Sequence, residues 1–244
     1  MDRNAAYENL AEWFEYLNDD CDYENWSQYL IEVLRGYPLQ TGLDIGCGGG
    51  YFTRALQKAG CKMTGIDCSA QMLDKAQRTA LETGIRSEYI LWDIAAKKPV
   101  RKYSFATAIN DCINYIPKEK LARAFKNICA ALERGGVFFF DISSERKLRQ
   151  KVANTVSVDD RDEITYLNFS SLDGDEVTMD VTLFVKGADG KYIRLDERHT
   201  QYIYKEEEIV SALENSGFTL LKCEGRFGKE SEKDDRICFL AQKR

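Results

Sequence analysis

The chain has 244 residues, 44% hydrophobic and 30% charged, which suits one large α/β domain or such a domain carrying an inserted lobe. A net charge of −6 with one histidine would repel a phosphate backbone, which disfavours nucleic-acid partners. No stretch reaches the roughly 18 apolar residues of a membrane span, and the opening M-D-R-N-A-A-Y-E-N-L lacks a signal peptide's apolar core, so a cytoplasmic location is expected.

Residues 4–17 carry Leu10, Trp13, Phe14 and Leu17 at helical spacing, and residues 23–35 carry Trp26, Tyr29, Leu30, Val33 and Leu34 likewise. Both predict amphipathic helices. Residues 41–67 then read as a short apolar run, a glycine-dense turn, a helix-length stretch and a second apolar run ending in Asp67. That order builds a βαβ unit. Glycines at 46, 48, 49 and 50 let backbone N–H groups approach a ligand beside a helix start.

Ser69 is predicted to cap a helix from Ala70 to about Thr83, which Gly84 ends. Strands are expected over Ser87–Leu91, Phe105–Ile109 and Val137–Phe140, with a helix over Lys118–Leu132. Solid apolar strands alternating with helices argue for a parallel sheet covered on both faces. Asp44, Asp67, Asp93, Asn110 with Asp111, and Asp141 all fall at or just past strand ends, where ligands of such sheets bind.

The pattern changes after residue 160. Residues 163–169, 177–185 and 192–204 alternate polar with apolar side chains between L-D-G-D and A-D-G-K turns, predicting an antiparallel meander of about three strands. It lies between helices expected over Glu145 to about Ala153 and over Glu206–Ser216. Two antiparallel strands, 219–227 and 237–241, close the chain. The expected plan is N-terminal helices over 1–36 covering the cofactor site, a core over 37–155 and 205–244, and an inserted β lid over 160–204.

A dinucleotide-binding G-x-G-x-x-G fails in both registers, since Tyr51 or Thr53 takes the third position, and no G-K-S or G-K-T marks a P-loop. The eight cysteines form no C-x-x-C and none flanks the histidine, so no metal site is expected. What remains is D-x-G-x-G-x-G at 44–50, with acids after the second and third strands.

Together with T-G-I-D-C-S-A-Q-M-L, W-D-I, I-N-D-C-I-N-Y-I, L-E-R-G-G-V-F-F-F-D-I and the closing R-I-C-F-L-A-Q-K, that loop resembles the class I S-adenosylmethionine-dependent methyltransferases. The resemblance covers residues 37–142 most fully, and the flanking segments look like the bacterial small-molecule branch. It implies a Rossmann-like, seven-stranded, mostly parallel sheet with helices on both faces, plus the inserted antiparallel lobe. It also implies S-adenosylmethionine as cofactor and a small-molecule methyl acceptor.

By position, Gly46, Gly48 and Gly50 would flank the methionine part of the cofactor, with Asp44 behind them. Asp67 would take the ribose hydroxyls, Met72 would lie against the adenine, and Asp93 and Ile94 would meet the adenine edge. Asn110 would border the sulfonium. Asp111, Asp141 and the lone His199 are candidates for a base where the acceptor loses a proton, with Asp111 and His199 preferred. Tyr115 is a candidate for the acceptor side. RNA or protein methylation, and a non-catalytic cofactor-binding regulator, stand as alternatives. Monomer and homodimer are both open.

Overall fold

The computed structural model describes residues 6–230 and 234–244. Helices α1 (Phe14–Leu17) and α2 (Tyr23–Leu34) precede β1 (Thr41–Ile45), α3 (Tyr51–Lys58) and β2 (Lys62–Asp67). Helix α4 (Ala70–Thr83), β3 (Glu88–Leu91), β4 (Tyr103–Ala108), α5 (Lys118–Ala131), β5 (Leu132–Ser143) and the short α6 (Glu145–Lys147) follow. Strands β6 (Val156–Asp160), β7 (Ile164–Asp173), β8 (Glu176–Lys186) and β9 (Tyr192–Tyr202) come next. The chain ends with α7 (Glu206–Asn215), β10 (Phe218–Gly225) and β11 (Arg236–Lys243).

Seven strands form one sheet in the order β10-β11-β5-β4-β1-β2-β3. Its first five strands in sequence pair in parallel, and β11 inserts antiparallel between β5 and β10. Strand β5 shows why the sheet is buried on both sides. Phe138, Phe140 and Ile142 pack with Phe125 of α5 and Leu213 of α7, whereas Val137 and Phe139 pack with Trp26, Leu30 and Phe52 of α2 and α3. Alternate residues of a strand face opposite ways, so a solid apolar run needs a layer on each face.

Ser69 caps α4 as expected, accepting from the Met72 amide at 3.2 Å, and Gly84 ends it at φ 70°. The expected helix over 4–17 is corrected. Residues 4 and 5 lie outside the described residues, residues 6–13 form turns and bends, and only Phe14–Leu17 is helical. The amides of Tyr7, Asn9 and Leu10 donate to the Glu197 carboxylate instead, and Tyr7 adopts φ 64°. The helix expected over Glu145 to about Ala153 is α6, followed by a π-helical turn over Leu148–Val152.

The inserted lobe is a four-stranded antiparallel sheet, β6-β7-β8-β9, one strand more than the meander expected. Strand β6 escaped notice because it is an edge whose Val156 and Val158 are exposed, with no buried face to leave a pattern. One face of this sheet packs Ile164, Val181 and Leu183 against Leu10, Trp13 and Phe14 of the N-terminal segment. Among the described residues, no helix is long and apolar enough to cross a membrane.

Candidate functional site

Strand β1 delivers the glycine loop to the carboxyl edge of the large sheet. Gly46 sits at φ 65°, where a Cβ would lie 2.3 Å from the Cys112 sulfur, so no other residue fits without displacing that turn. Asp44 lies beneath the loop, 2% exposed, with its carboxylate accepting from Thr53 Oγ1 at 2.5 Å and Thr107 Oγ1 at 2.9 Å. Burial pushes its pKa up to about 6 against the pull of those two hydroxyls. It braces the loop and does not line the cavity above it. Gly50, at φ 80°, caps α3 and also lies outside the lining.

That cavity encloses about 460 Å³ and is lined by Gly46, Gly48, Asp67, Met72, Asp93 and Ile94, with Asn110 at one end. Asp67 accepts from the Gly48 amide at 2.8 Å and the Ser69 amide at 2.9 Å, one on each oxygen. Each oxygen keeps acceptor capacity. Burial raises the Asp67 pKa, and the two amides oppose the shift. Asp93 Oδ1 accepts from the Ala95 amide at 2.8 Å, and Met72 and Ile94 form apolar walls.

A second cavity, of about 590 Å³, lies between the N-terminal segment, the four-stranded sheet and the start of β11. Tyr7, Phe14, Asn110 and Tyr115 line both cavities, so the two meet there. Asn110 and Asp111 turn the chain at φ 68° and 53°. Their amides donate to the buried Asp141 carboxylate at 2.7 and 3.1 Å. Arg236 of β11 completes the turn, donating to Asp141 at 2.5 Å and to the Asn110 side chain at 2.7 Å. The Asp111 carboxylate accepts from Ser143 Oγ at 2.7 Å and Gln201 at 3.2 Å. Burial acts to raise its pKa, but Arg236 and Lys147 outweigh it and hold the group below the usual carboxylate range.

His199, 3% exposed, borders the second cavity from β9. Its Nε2 lies 2.6 Å from Glu197 Oε1 and its Nδ1 3.3 Å from the Tyr115 hydroxyl. A carboxylate can only accept, so Nε2 carries the proton and Nδ1 is free to accept from Tyr115. Tyr115 in turn lies 2.8 Å from the Tyr7 hydroxyl. Burial raises the pKa of both tyrosines, so both stay protonated.

A family model described as a methyltransferase domain matches residues 43–136, which run from β1 into the start of β5. A Geobacillus sp. (strain WCH70) protein named as a methyltransferase is 30% identical over 246 residues, spanning 98% of this chain and 100% of that one. The chain belongs to the S-adenosylmethionine-dependent methyltransferases. The solved structure of an S-adenosylmethionine-dependent methyltransferase from Clostridium acetobutylicum ATCC 824 is also 30% identical, with a TM-score of 0.88 over 97% of this chain and 98% of that chain. A Coxiella burnetii (strain Dugway 5J108-111) protein named ubiquinone biosynthesis O-methyltransferase is 32% identical over 99 residues, 40% of this chain and 41% of that one.

S-adenosylmethionine is the cofactor of this methyltransferase, and the first cavity suits it chemically. Two polar atoms on its wall, Glu15 Oε1 and the Tyr23 hydroxyl, are buried without a hydrogen-bond partner among the described residues. Burial, reinforced by Cys21, raises the Tyr23 pKa far above the ordinary range, so its hydroxyl is a donor. Glu15 Oε1 lies 4.0 Å from the Arg54 guanidinium without a hydrogen bond to it. A carboxylate acceptor and a neutral donor with hydrogen-bonding capacity beside the glycine loop complement the ammonium and carboxylate of an amino acid.

Sequence reasoning for this methyltransferase passed over Glu15, Glu197, Gln201 and Arg236. Glu197 was within reach of it. In D-E-R-H-T-Q, Glu197, His199 and Gln201 alternate onto one strand face, so the only histidine has an acid two residues away on its own side. Arg236 carried no local signal.

Proposed function

We propose that this methyltransferase transfers the cofactor's methyl group to a small molecule held in the second cavity, by in-line displacement. The observation that carries the reading is that the two cavities meet at Tyr7, Phe14, Asn110 and Tyr115. The name of the Coxiella burnetii relative, which specifies ubiquinone biosynthesis, agrees with a small acceptor. So does the acidic balance of the chain, which is poorly suited to RNA.

Asp67 would accept from both ribose hydroxyls, Asp93 from the adenine amino group with the Ile94 backbone beside it, and Met72 would pack on the ring. The backbone of Gly46 and Gly48 would admit the methionine part, with Gly50 and Asp44 shaping the loop rather than touching the ligand. Glu15 would take the ammonium, Tyr23 the carboxylate, and Asn110 would border the sulfonium. The cofactor supplies a methyl group already activated on a sulfonium, with a neutral thioether as leaving group. The protein's part is then mainly proximity and alignment, on the order of 7–11 kcal/mol in favourable cases.

Where the acceptor carries a proton, His199 would receive it at Nδ1, with the Tyr115 hydroxyl between. Asp111 is the weaker candidate, because Arg236 and Lys147 stabilise its ionised form. We read its role as fixing Gln201 and Ser143 at the cavity wall. The N-terminal segment would cover the cofactor, and the four-stranded sheet would act as the lid of the acceptor cavity.

The test is incubation with methyl-labelled S-adenosylmethionine and fractionated cell extract. Label should move to a compound of low molecular mass. Label confined to the RNA or protein fraction would overturn the acceptor class, and tight cofactor binding without transfer to any fraction would favour a regulator.

A further inference from the structure

Glu197 has no exposed surface, yet its carboxylate is surrounded by N–H groups from two separate parts of the chain. Oε1 accepts from the Tyr7 amide at 3.1 Å and from His199 Nε2 at 2.6 Å. Oε2 accepts from the amides of Asn9 at 2.8 Å and Leu10 at 3.0 Å. An ionised carboxylate buried this fully is tolerated only with such a set of donors.

The same segment reaches the cofactor cavity. The Tyr7 carbonyl accepts from Ser69 Oγ at 3.1 Å, and Ser69 donates its own amide to Asp67. The Tyr7 ring stands edge-on to His199, with centroids 4.7 Å apart, and its hydroxyl meets Tyr115. Tyr7 adopts φ 64°, a left-handed conformation that an L-residue rarely takes without external contacts to hold it. Residues 7–10 thus bridge a wall of the cofactor cavity and the proton acceptor proposed above.

We propose that Glu197 is a positioning residue that fastens the N-terminal segment across the cofactor cavity and, with the same carboxylate, sets the tautomer of His199. Closure of the segment and orientation of the imidazole are then one event. With the segment open, Glu197 would keep one protein donor and draw in water or a proton, weakening its hold on Nε2–H. The inference rests on His199 as proton acceptor for its catalytic meaning, but its structural content does not.

His199 is the only histidine in the chain, so a histidine-labelled protein gives one imidazole spin system by nitrogen NMR. In the unaltered protein the proton should sit on Nε2. Glu197→Gln should mix the tautomers and speed hydrogen exchange at the amides of Tyr7, Asn9 and Leu10. It should also lower S-adenosylmethionine affinity about tenfold by calorimetry, as expected when the closed segment is populated only about a tenth of the time. His199→Asn should leave exchange and affinity within about twofold of the unaltered protein, because the three amide bonds to Glu197 remain. If Glu197→Gln does not fold, Glu197→Asp, which keeps the charge on a shorter arm, should show the same changes in smaller measure. Unchanged tautomer and exchange in whichever variant folds would overturn the proposal. None of these readouts needs the methyl acceptor, so failure of the proton-acceptor reading in a later activity assay of His199→Asn would leave the fastening role standing.

Discussion

Arg236 of β11 lies 2.5 Å from the fully buried carboxylate of Asp141 on the neighbouring strand β5. Through that pair the last strand of the chain holds Asn110 and Asp111, which shape the junction between the two cavities. Burial raises the Asp141 pKa, and the guanidinium counters it. Replacing Arg236 with Met would leave a buried carboxylate without its cation. The expected cost is about 3–5 kcal/mol of stability, read by urea unfolding. Asp141→Asn in the same chain should recover part of that loss, because the stranded charge is gone. Failure to recover any would show that the arginine acts through Asn110 and Asp111 rather than through the Asp141 charge.

Glu15 Oε1, without a hydrogen-bond partner among the described residues and 4.0 Å from Arg54, can be tested by comparing two ligands. Glu15→Gln should weaken S-adenosylmethionine binding by about 10- to 150-fold, the equivalent of one charged hydrogen bond of about 1.5–3 kcal/mol. Binding of 5′-methylthioadenosine, which lacks the amino-acid end, should be unaltered. Equal losses for both ligands would mean that Glu15 shapes the loop and does not recognise the ammonium.

Asp44 carries a pH signature. Its pKa is near 6 in the folded chain against an ordinary 3.8, so the folded state binds a proton more readily than the unfolded one. Its contribution is complete below about pH 4 and is lost as pH rises through about 6, some 2–3 kcal/mol in all. Asp44→Asn lacks this titration. Relative to the unaltered protein, its unfolding free energy should rise steadily between about pH 4 and pH 6 and then level off. A flat difference across that range would contradict the shifted pKa.

His199→Asn should lower kcat by about 10²–10⁴ for an acceptor that must lose a proton, with cofactor affinity close to that of the unaltered protein. Asp111→Asn should leave the acid limb of the pH–rate profile in place, because Asp111 is already ionised well below neutrality. An acid limb that disappears in Asp111→Asn but survives in His199→Asn would exchange the two roles.

Much of the cofactor side was readable from residues near one another in the chain. The glycines at 46, 48, 49 and 50, the acids at 67 and 93, and the Ser69 cap each follow from short-range rules of turn, strand end and helix start. The seven-stranded sheet was legible for the same reason, since apolar runs such as Val137–Phe140 can be buried on both faces only between two layers of helices. One reading failed where a distant partner intervened. The 4–17 segment has helical periodicity, but a carboxylate nearly 190 residues away takes its amides. Asp44, expected behind the loop glycines, lies beneath the loop, and no local signal showed that Thr53 and Thr107 would enclose it there.

The sequence by itself determined the fold class, because that depends on periodicities and turns written within short stretches of chain. The cofactor was legible through the resemblance carried by the ordered motifs from the glycine loop to the closing strand. Only the tertiary structure decided which side chains meet at the junction. Tyr7, Tyr115 and His199 come from the N-terminal segment, the turn after β4 and the inserted sheet, and Arg236 comes from the last strand. Their proximity is a product of packing over separations of 84 residues (Tyr115 to His199) up to 192 (Tyr7 to His199). No local pattern encodes a contact of that range, because propensity and periodicity act only between residues a few positions apart.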